Sequence, residues 1–194
     1  GSGGYSLYLS NTAFSGAYSY RHAVPGQQVS TFYVSALFSV PTLGWSGNSI
    51  RVDIPLVSST GTESVSSFGV DNGPAMQLFA SIGGSRFTLG YSYTANTTVQ
   101  IVAKYVYNST NHRVTMYAAV NPVGTAEPFW TPIGSTLPND TAPYTWSLNQ
   151  FGVTAYREVR DASGWVDEIR IASTYAEVVP IPGALWLLVS GLLG

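Results

Sequence analysis

The sequence contains no cysteine and few charged residues. The absence of Cys among its 194 residues excludes disulfide bonds and thiol chemistry. Asp, Glu, Lys and Arg make up only 9% of the chain, against about 25% in ordinary soluble domains. The net charge of −2 gives no electrostatic basis for binding nucleic acid or an anionic membrane surface.

Residues suited to catalysis are also scarce. His22 and His112 are the only histidines, and neither has a metal-type neighbour at i+2 or i+4. Asp167 and Glu168 are adjacent on a predicted strand, so their side chains should point to opposite faces. There is no Gly-x-Ser-x-Gly motif and no phosphate-binding glycine loop. Spacing alone leaves a Ser-His-Asp triad open, but the sequence favours a protein that is not an enzyme.

The chain does contain the alternation of apolar and polar residues that is typical of β-strands. Aromatic residues reach 13%, and apolar residues alternate with polar ones between clusters of turn residues. This alternation predicts strands at residues 5–9, 32–40, 50–56, 65–70, 75–82, 86–93, 99–107, 114–120, 150–156 and 165–172. Residues 99–107 and 114–120 should form an antiparallel hairpin, and residues 71–74 a turn. Residues 121–145 hold five prolines and predict a long irregular loop. The result is an all-β sandwich or barrel.

The last predicted strand carries a family resemblance. Residues 164–177, GWVDEIRIASTYAE, resemble the closing strand of laminin-G-like, concanavalin A-like jelly rolls. In that family the strand pairs with the N-terminal one near the middle of a sheet. The resemblance implies a jelly-roll sandwich of two antiparallel sheets over residues 5–177, after a flexible N-terminus at 1–4. It also implies that Trp165, Ile169 and Ile171 face the core while Glu168 and Arg170 pair outside.

The same resemblance implies candidate ligands. Glycoside hydrolases of this fold carry alternating Glu-x-Asp-x-x-Glu acids, a spacing that none of the ten acids here forms. Calcium is the family's usual ion, so a structural calcium is the one possible cofactor and none is required. Candidate calcium ligands lie in turn-like sequence, where ordinary Asx turns are the alternative: Asp71, Asn72, Asp140 and Asp161.

Aromatic residues in loop-like sequence could stack on sugar rings or could plug the ends of the sandwich. They are Trp45, Trp130, Tyr144 and Trp146. Three Asn-x-Ser/Thr triplets, at Asn96, Asn108 and Asn139, fall in predicted turns where a glycan could be attached.

The chain ends on an uncharged apolar run. Residues 178–182 form a proline-containing linker, and residues 183–194 predict a hydrophobic C-terminal tail helix of roughly 18 Å, too short to cross a bilayer. The expected assembly or anchor residues are Pro180, Pro182, Leu185, Trp186, Leu188, Val189, Leu192 and Leu193. A run this apolar needs something to bury it, either protein or lipid.

Residues 179–194, VPIPGALWLLVSGLLG, resemble the PEP-CTERM family of bacterial C-terminal sorting segments. The terminal basic cluster of that family is missing, and Pro-Ile-Pro replaces Pro-Glu-Pro. The resemblance implies a secreted protein of the bacterial cell surface or extracellular matrix, recognised by an exosortase or a membrane through the tail before processing. We expect a structural protein that self-assembles into an oligomer or filament with copies of itself. The alternative is a surface-anchored, lectin-like module that binds extracellular polysaccharide.

Overall fold

The structure, a computed structural model, describes residues 7–11, 16–23, 30–43, 48–57, 63–72, 75–108, 110–111, 113–135, 150–157 and 162–179. Within these ranges the chain forms strands and one short helix. In chain order they are β1 (Leu7–Asn11), β2 (Gly16–Ala23), β3 (Thr31–Thr42), β4 (Ser49–Val57), β5 (Glu63–Asn72), β6 (Met76–Ile82), β7 (Ser85–Ser92), β8 (Thr98–Asn108), β9 (Arg113–Val120), β10 (Thr131–Ser135), β11 (Gln150–Arg157), β12 (Ala162–Ala172) and α1 (Tyr175–Val178).

The strands form two six-stranded antiparallel sheets, which confirms the predicted jelly-roll sandwich. The first sheet has the order β1-β12-β3-β8-β9-β10, and the second has the order β2-β11-β4-β5-β6-β7. The predicted hairpin of β8 and β9 is present, with Ala103 opposite Ala118. Alternation of polar and apolar residues along each strand therefore predicted how the chain divides between core and surface.

The hydrophobic core lies between the two sheets. Phe38 of the first sheet meets Phe68 of the second edge to face, with 6.0 Å between ring centroids. Phe32 stacks on Tyr105 at 4.5 Å, and the fully buried Tyr105 hydroxyl pairs with Ser66 Oγ at 2.9 Å. A buried hydroxyl is tolerated when it has such a partner, so the core can hold a tyrosine.

Strands β4 and β5 approach each other most closely at Gly69. A Cβ atom built on Gly69 would overlap the carbonyl oxygen of Ile50. Only glycine fits there, because it has no side chain to oppose the neighbouring backbone.

The pairing and the side-chain directions predicted for the closing strand β12 are confirmed in part and wrong in part. It pairs with β1 as expected, although β1 forms the edge of the sheet and not its middle. Glu168 and Arg170 pair outside the core at 2.5 Å. Trp165 does not face the core: its side chain is 47% exposed, whereas the neighbouring Val166 is fully buried.

A β-bulge explains this correction. The register of β12 against β3 shifts between Asp167 and Arg170, and Glu168 has a left-handed φ of 49°. The extra residue moves the core-facing positions from even to odd numbers along the strand. Ile169 and Ile171 consequently pack against the core, as predicted.

Two strands were not predicted. β2 precedes the first long alternation, and β10 lies inside the predicted loop at residues 121–145. In addition, β5 continues through Asp71 and Asn72, which were assigned to a turn. Prolines and turn residues do not end a strand that is held by its neighbours.

The chain at residues 175–179, here called the C-terminal segment, packs on the outer face of the first sheet. Tyr175, Val178 and Val179 are buried against Tyr33 and Val102. Ser35 Oγ donates a 2.7 Å hydrogen bond to the carbonyl oxygen of Val178. The predicted tail helix at residues 183–194, with Pro180 and Pro182 before it, lies outside the described residues. No helix in the described ranges is long and apolar enough to cross a membrane.

Candidate functional site

The outer face of the second sheet, here called the polar face, carries hydrogen-bonding side chains from five strands. The polar side chains with described positions are Ser49, Arg51, Asp53, Ser67, Asp71, Gln77, Ser81, Arg86 and Thr154, and Phe79 lies on the same face. They share one face because strand residues two apart point the same way, while Ile50, Val52, Phe68 and Val70 between them enter the core.

The strand register places these side chains in rows across the sheet. Asp53 lies opposite Ser67, Ser67 opposite Ser81, and Ser81 opposite Arg86. Ser67 and Ser81 join their hydroxyls at 2.7 Å. Neighbouring strands are about 4.8 Å apart, so a row of this kind spaces its polar groups at about that interval across the sheet.

One end of the polar face is organised by Asp53. Arg51 Nε lies 3.0 Å from Asp53 Oδ1, and Thr154 Oγ1 donates a 2.5 Å hydrogen bond to Asp53 Oδ2. Side chains of two neighbouring strands, β4 and β11, thus meet at one carboxylate, which fixes them in place. A fixed set of donors and acceptors costs less entropy when a ligand binds than a mobile set would.

The other end is organised by Arg86, which comes from the edge strand β7. Its guanidinium forms an ion pair with Asp71 and lies 3.9 Å from the ring centroid of Phe79. Burial lowers the pKa of Arg86, and the charge on Arg51 lowers it further. Arg86 therefore covers an aromatic ring and a carboxylate at once.

Two polar atoms beside that pair have no hydrogen-bond partner. Asp71 Oδ1 and Ser49 Oγ are both unpartnered, although the two residues are only 5% and 1% exposed. Ser49 lies directly opposite Asp71 in the register of β4 and β5. Leaving such groups unsatisfied costs about 1–3 kcal/mol each, which a bound hydroxyl group would recover.

The two acids on this face do not have the spacing of a glycosidase pair. Asp71 lies opposite Ser49, which is four residues from Asp53 on the same strand. This places the two acids about 13 Å apart along the strand direction. Glycosidases hold their carboxyl groups roughly 5–10 Å apart, so the arrangement suits binding better than acid–base cleavage of a glycosidic bond.

Of the aromatic residues predicted to bind carbohydrate, Trp130 lies on the opposite side of the sandwich. It packs against Tyr33 and Tyr175 on the outer face of the first sheet, with ring centroids 6.1 and 5.8 Å away. Trp45, Tyr144 and Trp146 lie outside the described residues. The structure therefore does not bring Trp130 to the polar face.

Glu127 holds this aromatic cluster together. Its carboxylate accepts hydrogen bonds from Lys104 Nζ and Trp130 Nε1, both at 2.8 Å, and from the Tyr33 hydroxyl. The hydrogen bonds from Lys104 and then Tyr33 lower the pKa of Glu127 to about 2. Burial, followed by the hydrogen bond to Glu127, raises the pKa of Tyr33.

The predicted calcium ligands are only partly described. Asp71 and Asn72 lie at the end of β5, and Asp71 is paired with Arg86. Asp140 and Asp161 lie outside the described residues. Across the described ranges, no three His, Cys, Asp or Glu side chains come together as a metal site. A structural calcium stays a prediction.

Two of the three predicted glycosylation positions are exposed, Asn96 in a turn and Asn108 at the end of β8. Asn96 has a left-handed φ of 62°. Asn108 accepts a 2.9 Å hydrogen bond from the Thr110 backbone in an Asx turn. Asn139 lies outside the described residues. Modification at these positions stays a prediction.

Of the residues that build the polar face, the sequence singled out only Asp71, and that as a candidate calcium ligand in a predicted turn. Arg51, Asp53, Arg86 and Thr154 occupy ordinary polar positions in alternating strands. The available signal was charge: in a chain with only 9% charged residues, Arg51, Asp53 and Arg86 lie on predicted strands. Their convergence depends on strand order, which alternation does not supply.

Comparisons with known proteins support the fold. No protein-family model matches the chain, and no curated protein matches it either. Among solved structures, family 7 alginate lyase A1-II′ in complex with product is similar, with 12% identity and a TM-score of 0.55. The match covers 87% of this chain and 79% of the lyase. At this identity the likeness shows the fold alone.

Two further structures are similar at lower TM-scores. The cellulose induced protein Cip1 has 15% identity and a TM-score of 0.47, over 78% of this chain and 70% of Cip1. The GH43 protein BlXynB from Bacillus licheniformis has 13% identity and a TM-score of 0.42, over 76% of this chain. This chain spans only 28% of BlXynB. The protein described here is a concanavalin A-like jelly roll of two antiparallel sheets.

Proposed function

We propose that this domain binds a polysaccharide on its polar face and does not cleave it. The main support is the set of hydrogen-bonding side chains on one face of β4, β5, β6, β7 and β11, which the strand register aligns in rows. Two of these side chains, Ser49 and Asp71, are buried, and each has an atom without a hydrogen-bond partner. Saccharides are recognised by fixed donors and acceptors that match several hydroxyl groups together. The family 7 alginate lyase that has the same fold is consistent with the proposal, although its likeness concerns the fold alone.

Among the described residues, the two carboxylates of the polar face do not support cleavage by paired acids. Asp53 and Asp71 are too far apart for a paired-acid mechanism, and each is occupied by an arginine. A carboxylate paired with a guanidinium stays ionised and is a poor general acid.

The test is affinity electrophoresis in gels that contain a soluble polysaccharide. The wild-type protein should be retarded, and Asp53→Asn should reduce the retardation. Glu127→Gln, on the opposite side of the sandwich, is the control and should not change it. Incubation with the retarding polysaccharide should release no new reducing ends. A protein that no polysaccharide retards, or one that releases reducing ends, would contradict the proposal.

We also propose that residues 183–194 attach the domain to a neighbouring copy or to a membrane at the cell surface. What supports this second function is their apolar sequence. Val179, the last described residue before them, lies on the outer face of the first sheet, whereas the polar face belongs to the second sheet.

Removal of residues 183–194 tests attachment. Sedimentation should change from an assembled species to a monomer, because a Leu or Val side chain contributes about 1.5–3 kcal/mol when buried. Leu188→Ser with Leu192→Ser in the full chain is the matched control for composition and should give the same result. Sedimentation that is identical with and without the tail would rule it out as the joining element.

A further inference from the structure

We infer that the polar face takes an uncharged saccharide, and that a sugar ring enters at its Arg86 end by displacing the guanidinium from Phe79 and Asp71. This inference rests on the proposed function and specifies its ligand. It depends on three observations: the pairing of the charges on this face, the position of Arg86, and the unpartnered atoms beneath it.

The first observation is that the described charges on the polar face neutralise each other. Arg51 pairs with Asp53, and Arg86 pairs with Asp71. An anionic polysaccharide would have to take an arginine away from its aspartate, which leaves a poorly solvated carboxylate beside the incoming anion. An uncharged saccharide has no such cost, since its hydroxyl groups both donate and accept hydrogen bonds.

The second observation is the place that Arg86 occupies. Phe79 is 1% exposed, and the flat guanidinium lies 3.9 Å from its ring centroid. A sugar ring that stacks on an aromatic side chain occupies the same position over the ring. The Arg86 side chain is itself 44% exposed and belongs to an edge strand with exposed neighbours, so it can rotate into solvent without disturbing the core.

The third observation shows what a saccharide would gain. Asp71 Oδ1 and Ser49 Oγ lack partners and lie opposite each other across β4 and β5. Arg86 supplies a partner to the other carboxylate oxygen, Asp71 Oδ2. Two neighbouring hydroxyl groups of one sugar can donate to Asp71 and bond with Ser49 at the same time, which a single guanidinium does not achieve.

The experiment compares uncharged and anionic polysaccharides by affinity electrophoresis and titration calorimetry. Xylan, soluble β-glucan and mannan represent the uncharged class, and alginate and polygalacturonate represent the anionic class. We expect binding to at least one uncharged polymer, with little change between about 50 mM and about 500 mM salt, because the contact carries no net charge. Tight, strongly salt-dependent binding of an anionic polymer alone would overturn this inference while leaving polysaccharide binding intact. Absence of binding to any polymer would overturn the proposed function itself.

Ser49→Ala tests the subsite without threatening the fold. The substitution removes an unpartnered buried hydroxyl, so the melting temperature should be unchanged or higher. Affinity for the uncharged polymer should nevertheless fall about 5- to 10-fold. Unchanged affinity would remove Ser49 from the subsite.

Arg86→Gln tests displacement. Glutamine can still donate to Asp71 but cannot cover Phe79 as a guanidinium does, so affinity should rise about 3-fold or more. Arg113→Gln makes the same change on β9 of the other sheet and is the matched control. Equal affinity in the two variants, or weaker binding by Arg86→Gln, would show that Arg86 is not displaced.

Discussion

At the scale of single residues, Glu127 joins elements that are far apart in the sequence. Its carboxylate accepts hydrogen bonds from Tyr33, Lys104 and Trp130, which lie on β3, on β8 and directly before β10. The side chain is 42% exposed, so solvent screens these interactions and limits their contribution to stability. No motif in the sequence marks Glu127, because its three partners become neighbours only in the folded sheet.

Glu127→Gln should lower the free energy of unfolding by about 1 kcal/mol at neutral pH. The pKa of Glu127 falls from its ordinary 4.5 to about 2 in the folded protein. A lowered folded pKa stabilises the protein above the unfolded value and loses that effect as the pH falls from 4.5 through 2. Denaturant unfolding between pH 7 and pH 2 measures this difference.

The wild-type protein and the Glu127→Gln variant should therefore converge in stability near pH 2. Glu177→Gln is the control, because Glu177 is exposed and its carboxylate accepts a 2.7 Å hydrogen bond from Thr174 Oγ1. It should change stability by less than about 0.5 kcal/mol. A difference between wild type and Glu127→Gln that stays constant over the whole pH range would contradict the ionised carboxylate as the cause.

At the scale of elements, the bulge in β12 sets which side chains of this strand reach the core. Simple alternation correctly predicted that Ile169 and Ile171 face the core and wrongly predicted the same of Trp165. It assumes that all odd-numbered residues of the strand point to the same side. An extra residue with left-handed φ at Glu168 resets that parity. Alternation identifies strands well, but a bulge is a feature of the pairing between strands and leaves little trace in one sequence.

Deletion of Glu168 should remove the bulge and keep the fold. Val166, Ile169 and Ile171 then alternate strictly with Asp167 and Arg170, so a regular β12 keeps all three apolar side chains in the core. The expected loss is below about 1 kcal/mol, from the exposed ion pair between Glu168 and Arg170. Soluble yield and circular dichroism measure it, and an unfolded variant would contradict the bulge as the cause of the shifted parity. Glu168→Gly keeps the chain length and tolerates the left-handed φ, so it should also fold.

At the scale of the whole molecule, the sequence predicted the architecture but not the site. The alternation of apolar and polar residues along the strands was enough to predict a two-sheet sandwich, because it shows which side chains become buried on folding. The polar face depends on which strands are neighbours: Thr154 reaches Asp53 across 101 residues of sequence. Trp130, chosen as a carbohydrate-binding candidate because it lies in loop-like sequence, packs on the outer face of the first sheet. Local pattern does not contain strand order, so it could not show that Asp53, Asp71 and Arg86 share a face.

The C-terminal segment should contribute to the stability of the sandwich. A chain that ends at Ser173 lacks Tyr175, Val178 and Val179, which are buried against Tyr33 and Val102. It should be less stable than a chain that ends at Val179 by about 3 kcal/mol or more. Thermal unfolding of the two truncated chains measures this. Equal melting temperatures would show that the segment is not part of the domain.

The position of Val179 also determines how the protein can be presented. Val179 and Arg86 belong to opposite sides of the sandwich, because the first is buried on the outer face of the first sheet and the second lies on the outer face of the second. A bead, a sensor chip or a fused partner coupled at Val179 would therefore lie on the side of the sandwich opposite Arg86, whose side chain is 44% exposed. Many copies displayed side by side in this way would bind a long polymer at several sites at once, so their avidity would exceed the affinity of a single copy.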